Sequence, residues 1–346
     1  MRPIQGGVRE HLYGLLSLGN SKLISTIMKG TPLILSIILL IANSQTYAKP
    51  DTAAPHLKSL EIMSAVESKI DLDPDGLLKL LTTRNYKALN KRLAQYQKSY
   101  VQDNEKEWVL IRAFDVFEIP DPANATFLDE WVEKHPNSYG AHVARAAYWK
   151  AMGWQFRGSA FSNKTADLKF QRMNKAFEIA EKELKVSLKL TEKPIATLYF
   201  LMSMGKAGGN IEQWLKISER IDPYNASVRS KYSQWLWPRW GGSHKRMKTF
   251  AYRMRKIGTP KLHDLADDID ADILRDKGDS LYWNEDYTAA LDYYLRANDH
   301  HSTGDTLNSL GKLYNQLGQL KVAKSYYQAA QEKYRYSETA LTSLAS

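Results

Sequence analysis

The sequence predicts an all-α fold of stacked helical hairpins, and three observations carry that expectation. Gly278, Ala290, Tyr294 and Ala297 recur as Gly311, Ala323, Tyr327 and Ala330, a shift of 33 residues each time. The same shift carries Leu274 onto Leu307 and Leu281 onto Tyr314. A fixed period of this size marks helix-turn-helix units that stack side by side and bury a core none could bury alone. Upstream, apolar residues return every three to four positions over long stretches, the pattern of amphipathic helices. Valine is sparse and no run alternates with period two for long, which argues against a β-sheet.

The elements follow in chain order. Lys29 precedes an apolar run at residues 33–42, then Asn43-Ser44-Gln45 and Thr46-Tyr47-Ala48. A charged start, a short apolar stretch and a small-residue site describe a secretory signal peptide cleaved after Ala48. Met28 is an alternative start. An apolar run this short does not span a bilayer comfortably, so no transmembrane span is expected after cleavage. The mature chain is then exported, most simply to a bacterial periplasm. Beyond the signal, Leu77, Leu78, Leu80 and Leu81 mark a short helix, and a turn at Thr83-Arg84-Asn85 leads to Tyr86, Leu89, Leu93 and Tyr96 on a second. Trp108, Ile111, Phe114 and Phe117 continue the pattern until Ile119-Pro120-Asp121-Pro122 stops it, because proline cannot sit inside a helix. Phe127, Leu128 and Trp131 mark the next helix, and further helical stretches are predicted at about 139–153, 166–190, 195–205, 210–221, 226–236 and 243–256. Residues 154–165 read as a polar loop, and 238–243 as a tight break whose Ser243 caps the next helix. Gly258-Thr259-Pro260 marks a boundary, which divides the mature chain into a helical domain at 49–260 and a repeat domain at 261–346.

Within each repeat, Gly278 or Gly311 is expected where two helices approach too closely for a Cβ. Ala290 and Ala323 keep the second helix near its partner; Tyr294 and Tyr327 fill the gap toward the following unit, and Ala297 and Ala330 let it dock. This small–large–small order resembles the tetratricopeptide repeat over roughly residues 271–336, although the period is 33 and Lys277 occupies a usually apolar position. A second resemblance rests on three stretches: Ser138-Tyr139, Ala144-Arg145-Ala146, Gly153-Trp154 and Arg157-Gly158; Leu184, Ser187, Leu188, Pro194 and Leu198-Tyr199; and Asp222-Pro223, Arg229, Tyr232 and Arg239-Trp240-Gly241-Gly242-Ser243. Over about residues 75–255 these resemble the bacterial domain-of-unknown-function family numbered 4034. That resemblance implies an all-helical exported or envelope-linked domain, often followed by tetratricopeptide-like repeats, and brings no catalytic residues.

Chemistry is sparse. The chain has 346 residues, 48 basic against 38 acidic, and no cysteine, which excludes disulfides and thiolate catalysis. Its net charge of +10 is diffuse, so nucleic acid is not an expected partner. The Trp154/Arg157/Gly158 and Arg239/Trp240/Gly241/Gly242/Ser243 loops each combine an indole, a guanidinium and side-chain-free backbone. Such a group can receive a carboxylate or phosphate; equally, both tryptophans can plug a core while both arginines tie loops together. Asp71, Asp73, Asp75 and Gly76 have the opening spacing of a calcium loop, but Thr82 replaces the bidentate glutamate; Asp75 is instead expected to cap a helix. Asp267, Asp268, Asp270 and Asp272 read as a solvated helical face. No metal or cofactor is expected. The primary functional expectation is a protein or peptide interaction module in the envelope. The alternative is an enzyme or small-anion receptor using the two Trp/Arg/Gly loops.

Overall fold

A computed structural model describes residues 72–158, 165–205 and 210–333. The signal segment, the Ala48 cleavage site and Asp71 lie outside the described residues. Among the described residues there are fourteen α-helices and no strand: α1 Pro74–Thr82, α2 Tyr86–Gln102, α3 Glu107–Asp115, α4 Pro122–Lys134, α5 Tyr139–Arg157, α6 Asp167–Ser187, α7 Ile195–Ser203, α8 Ile211–Ile221, α9 Ser227–Gln234, α10 His244–Ile257, α11 Pro260–Trp283, α12 Tyr287–His300, α13 Gly304–Gln316 and α14 Leu320–Lys333. Most start on a residue whose side chain accepts from a free N–H of the first turn, as with Asn85, Ser138, Asn210, Ser243, Asp286 and Thr303. At α1 this role falls to Asp73, which accepts from Gly76 N at 2.9 Å. Asp75, the expected cap, sits in the first turn, where its charge favours the helix dipole.

Helix α9 has no local cap. Its N-terminus is held from a distance by Glu107 of α3, which accepts from Ala226 N and Ser227 N, both at 2.8 Å, and from the Ser227 hydroxyl. Burial pushes the Glu107 carboxyl up, and these three bonds and Lys261 pull it back.

Sequence neighbours pack as antiparallel pairs, with α5 on α6, α11 on α12 and α13 on α14 the most extensive. Helices α3, α5, α7 and α9 also touch one another across hairpins, as do α11 and α13. Helices α3, α5, α7 and α9 therefore share an inner layer, and α11 and α13 share another. One apolar cluster runs from Leu77 to Ile273, passing the turn at Gly258, where φ is 83°. A smaller cluster around Ala290, Tyr294, Leu310 and Leu313 serves the last hairpins.

The repeated residues occupy matching places. A Cβ on Gly278 would meet Tyr294 Cδ1 at 2.6 Å, and one on Gly311 would meet Tyr327 Cε1 at 2.6 Å. Each tyrosine thus fills the notch of its own glycine within one hairpin, rather than the gap toward the following unit. Ala290, Ala297, Ala323 and Ala330 are all buried, where a methyl group is the largest side chain that keeps the helices close.

Candidate functional site

Helix α5 continues through Arg157, so Trp154 and Arg157 stand on a helix, and the predicted loop begins only at Gly158. At Gly158 the helix ends on a backbone with φ 71° and ψ −175°, which favours glycine. Trp154 packs edge-on against Phe177 of α6, with ring centroids 5.4 Å apart. Arg157 lies over Phe170 of α6 at 5.9 Å and donates to the Gly158 carbonyl. Residues 159–164 lie outside the described residues.

The second predicted loop is a tight corner between α9 and α10. A single 3-10 turn, Pro238–Trp240, leads to Gly241 at φ 86°. A Cβ on Gly242 would fall 1.9 Å from Leu236 O, so only glycine closes the corner, and Ser243 caps α10 as expected by accepting from Arg246 N. Arg239 lies 4.4 Å over Trp237 and donates to Asp276 and Asp279 of α11 at 3.1 Å. Trp240 packs on Trp235 at 5.3 Å. The two guanidiniums therefore have separate partners, one set on α6 and one on α11, and an anion at Arg239 would have to displace two carboxylates.

A constellation that no motif announced lies on the inner layer. Trp108, Arg112 and Asp115 follow one another at spacings of four and three, which puts them on one side of α3. Trp108, more than a third exposed, stands edge-on to Tyr199 of α7. Lys231 of α9 lies 5.2 Å over the same Tyr199 ring. Lys150 of α5 lies 5.3 Å over Phe200 and pairs with Glu118 at 2.5 Å. Asp115 Oδ1 is buried without a hydrogen-bond partner. Burial pushes the Asp115 carboxyl up to about 7; Glu118 adds to the shift, and Lys150, Lys231 and Arg112 oppose it. Burial, reinforced by Lys150, pushes the Lys231 ammonium down, against Glu118, Asp115 and Asp305. A carboxylate oxygen without a hydrogen-bond partner, within electrostatic reach of a lysine held over a ring, offers an acceptor and donors together, which suits a ligand carrying both, such as a peptide backbone.

A second group of charges continues on α11 and α13. Asp268, Asp272, Arg275 and Asp279 stand at spacings of four, three and four along α11. Arg275 reaches Asp272 at 2.9 Å, Asp305 of α13 at 3.6 Å and Asp279 at 3.9 Å, and lies 4.7 Å over Trp237. Burial pushes Asp272 up to about 6 against the pull of Arg275, with Asp305 and Asp268 adding to the rise. The aspartates predicted as one solvated face divide between two sides. Asp267 and Asp270 turn toward α10 and pair with Arg255 at 2.5 and 2.8 Å, while Asp268 lies 3.2 Å from His301 and Asp272 pairs with Arg275. Because Asp305 also acts on Lys231, the two groups lie within electrostatic reach of each other. Among the described residues no cluster of His, Cys, Asp and Glu has the makings of a metal site.

Residues 75–210 match the family described as a domain of unknown function, DUF4034. The match takes in α1 to α7, and with them Trp108, Asp115, Lys150 and Tyr199. It stops before the Arg239–Ser243 corner and before the repeated hairpins. No curated protein matches the chain.

Proposed function

We propose that this chain is an exported helical-repeat module whose inner face docks a polypeptide partner in the bacterial envelope. The observation that carries the reading is Asp115 Oδ1, buried without a hydrogen-bond partner, within electrostatic reach of Lys231, which is held over Tyr199. Exposed Trp108 on α3 and Trp283 on α11 add apolar contact surface. The matching glycine–tyrosine contacts of the last two hairpins support a tetratricopeptide-like unit, and stacked units of this kind present continuous surfaces to extended ligands. Export rests on the segment ending at Ala48. The reading requires no cofactor. The alternative, a small-anion receptor or enzyme at Arg157 and Arg239, requires Arg239 to leave Asp276 and Asp279.

The test places a photocrosslinking amino acid at Trp108, at Trp283 or at Tyr252 in the full chain in its native host. Tyr252 is 60% exposed on α10 and serves as an outer-face control. Adducts with one protein at Trp108 and Trp283, absent at Tyr252, are expected. Equal adducts at all three positions, or none at Trp108 and Trp283, would overturn the reading.

A further inference from the structure

The 33-residue shift aligns Asp272 with Asp305 and Arg275 with Asn308. On α11 the aspartate has its own guanidinium three residues on, at 2.9 Å. On α13 the corresponding position is the neutral Asn308. Asp305 is left to share Arg275 at 3.6 Å, and its side chain is 59% exposed. Asn308 itself is 5% exposed, and its Oδ1 is buried without a hydrogen-bond partner. It stands one turn along from Asp305 on the same side of α13. Asp272, Asp279 and Asp305 thus share Arg275, while Arg239 also holds Asp279 and His301 lies 3.2 Å from Asp268, in a protein whose net charge is +10. At the far end of the stripe stands Trp283, 70% exposed, eleven positions beyond Asp272 and so on nearly the same side of α11. An exposed indole beside an acidic stripe is a platform for a cation.

We propose that the α11–α13 face binds a cationic peptide segment, an arginine or lysine of the partner taking the place that Arg275 fills on α11. That side chain pairs with Asp305 and Asp272 and donates to Asn308 Oδ1. A second residue of the same segment stacks on Trp283. Eleven helical residues rise ~16 Å, which an extended strand covers in about five residues, so the segment recognised is at least about that long. This inference rests on the interaction reading above and names the chemistry of its partner.

The full chain is titrated against fluorescein-labelled hexa-arginine, with labelled hexaglutamate and hexaserine as controls, by fluorescence anisotropy. Hexa-arginine is expected to bind despite the positive net charge, and hexaglutamate is expected not to. Asp272→Asn with Asp305→Asn should weaken hexa-arginine tenfold or more, and Trp283→Ala about threefold or more, with circular dichroism unchanged. If the double variant misfolds, Asp305→Asn and Trp283→Ala alone carry the test, since both side chains are largely solvent-facing. Hexaglutamate binding as tightly, or variants that keep full affinity, would overturn the proposal. The two readings fail separately. Crosslinked adducts that persist in the Asp272/Asp305 variant sink the cation site and leave the interaction module standing. Hexa-arginine binding without any inner-face adduct supports the cation site and sinks the adaptor.

Discussion

Gly278→Ala probes the repeat at its tightest point. The added Cβ would sit 2.6 Å from Tyr294 Cδ1 and Cε1 and 3.3 Å from Ala290 O, so the ring must move by about 1 Å to reach ordinary contact. It has little freedom to do so: Tyr294 is 2% exposed, and its hydroxyl donates to Asp279 Oδ1 at 2.8 Å. Overpacking of a filled core costs about 1–3 kcal/mol, and the strained hydroxyl bond adds about 1 kcal/mol. Replacing glycine by alanine inside a helix returns about 1 kcal/mol. The expected net loss is about 2 kcal/mol, read as a lower midpoint in urea or thermal denaturation followed by circular dichroism. In a Tyr294→Leu background the notch is open, and the same Gly278→Ala change should stabilise by up to about 1 kcal/mol. The reversal of sign is the decisive feature. If Gly278→Ala stabilises both backgrounds alike, Tyr294 does not fill the glycine notch and the packing account of the repeat fails.

Other consequences follow from burial and charge. Asp115 has a folded-state pKa raised to about 7 by burial, with Glu118, Lys150, Lys231 and Arg112 as its charged neighbours. The native state therefore holds that proton more tightly than the unfolded chain, so this group's contribution to stability falls as pH rises from about 4 to about 7. Asp115→Asn should stabilise the protein by about 1–2 kcal/mol at pH 8 and have little effect near pH 4; an unchanged difference between the two pH values in denaturant titrations would refute the assignment. Arg229, 2% exposed, donates to Asn225 O and Pro223 O and lies 3.4 Å from Glu219. Arg229→Ala strands those carbonyls and should cost about 3–5 kcal/mol, a loss of folded protein at modest urea. Gly242→Ala cannot close the α9–α10 corner and should cost more than about 2 kcal/mol. Arg239→Ala, at a side chain 48% exposed, should cost no more than about 1 kcal/mol. A stable Gly242→Ala variant in thermal melts would refute the geometry of the corner.

Much of the helical architecture was legible because its causes are local. The spacing of Tyr86, Leu89, Leu93 and Tyr96 specifies a face, Ser243 specifies a cap, and Pro120 and Pro122 specify a stop whatever the rest of the chain does. The 33-residue recurrence was legible too, but not where its tyrosines pack: expected toward the following unit, Tyr294 and Tyr327 instead fill the notches of Gly278 and Gly311. Where local signals competed, the expectation missed. The polar look of 154–165 hid the last turn of α5, which the α6 contacts of Trp154 and Arg157 hold in place. Asp73 and Asp75 are the same residue type two positions apart, and Asp73 is the one that accepts from Gly76 N.

The inner face was not legible in this way. Trp108, Asp115, Lys150, Tyr199 and Lys231 come from four helices and share no motif, and each alone reads as an ordinary amphipathic residue. Periodicity says which side of a helix is apolar, but not which polar side will meet another polar side across a hairpin. Local sequence was enough for the existence of the helices and for most of their caps and stops, because those depend on neighbours within a few turns. It took tertiary packing to make Glu107 cap α9, to strip Asp115 of water without giving Oδ1 a partner, and to set Tyr294 and Tyr327 in the notches of Gly278 and Gly311. Desolvation and charge fields act through space, so their consequences exist only once distant helices are brought side by side.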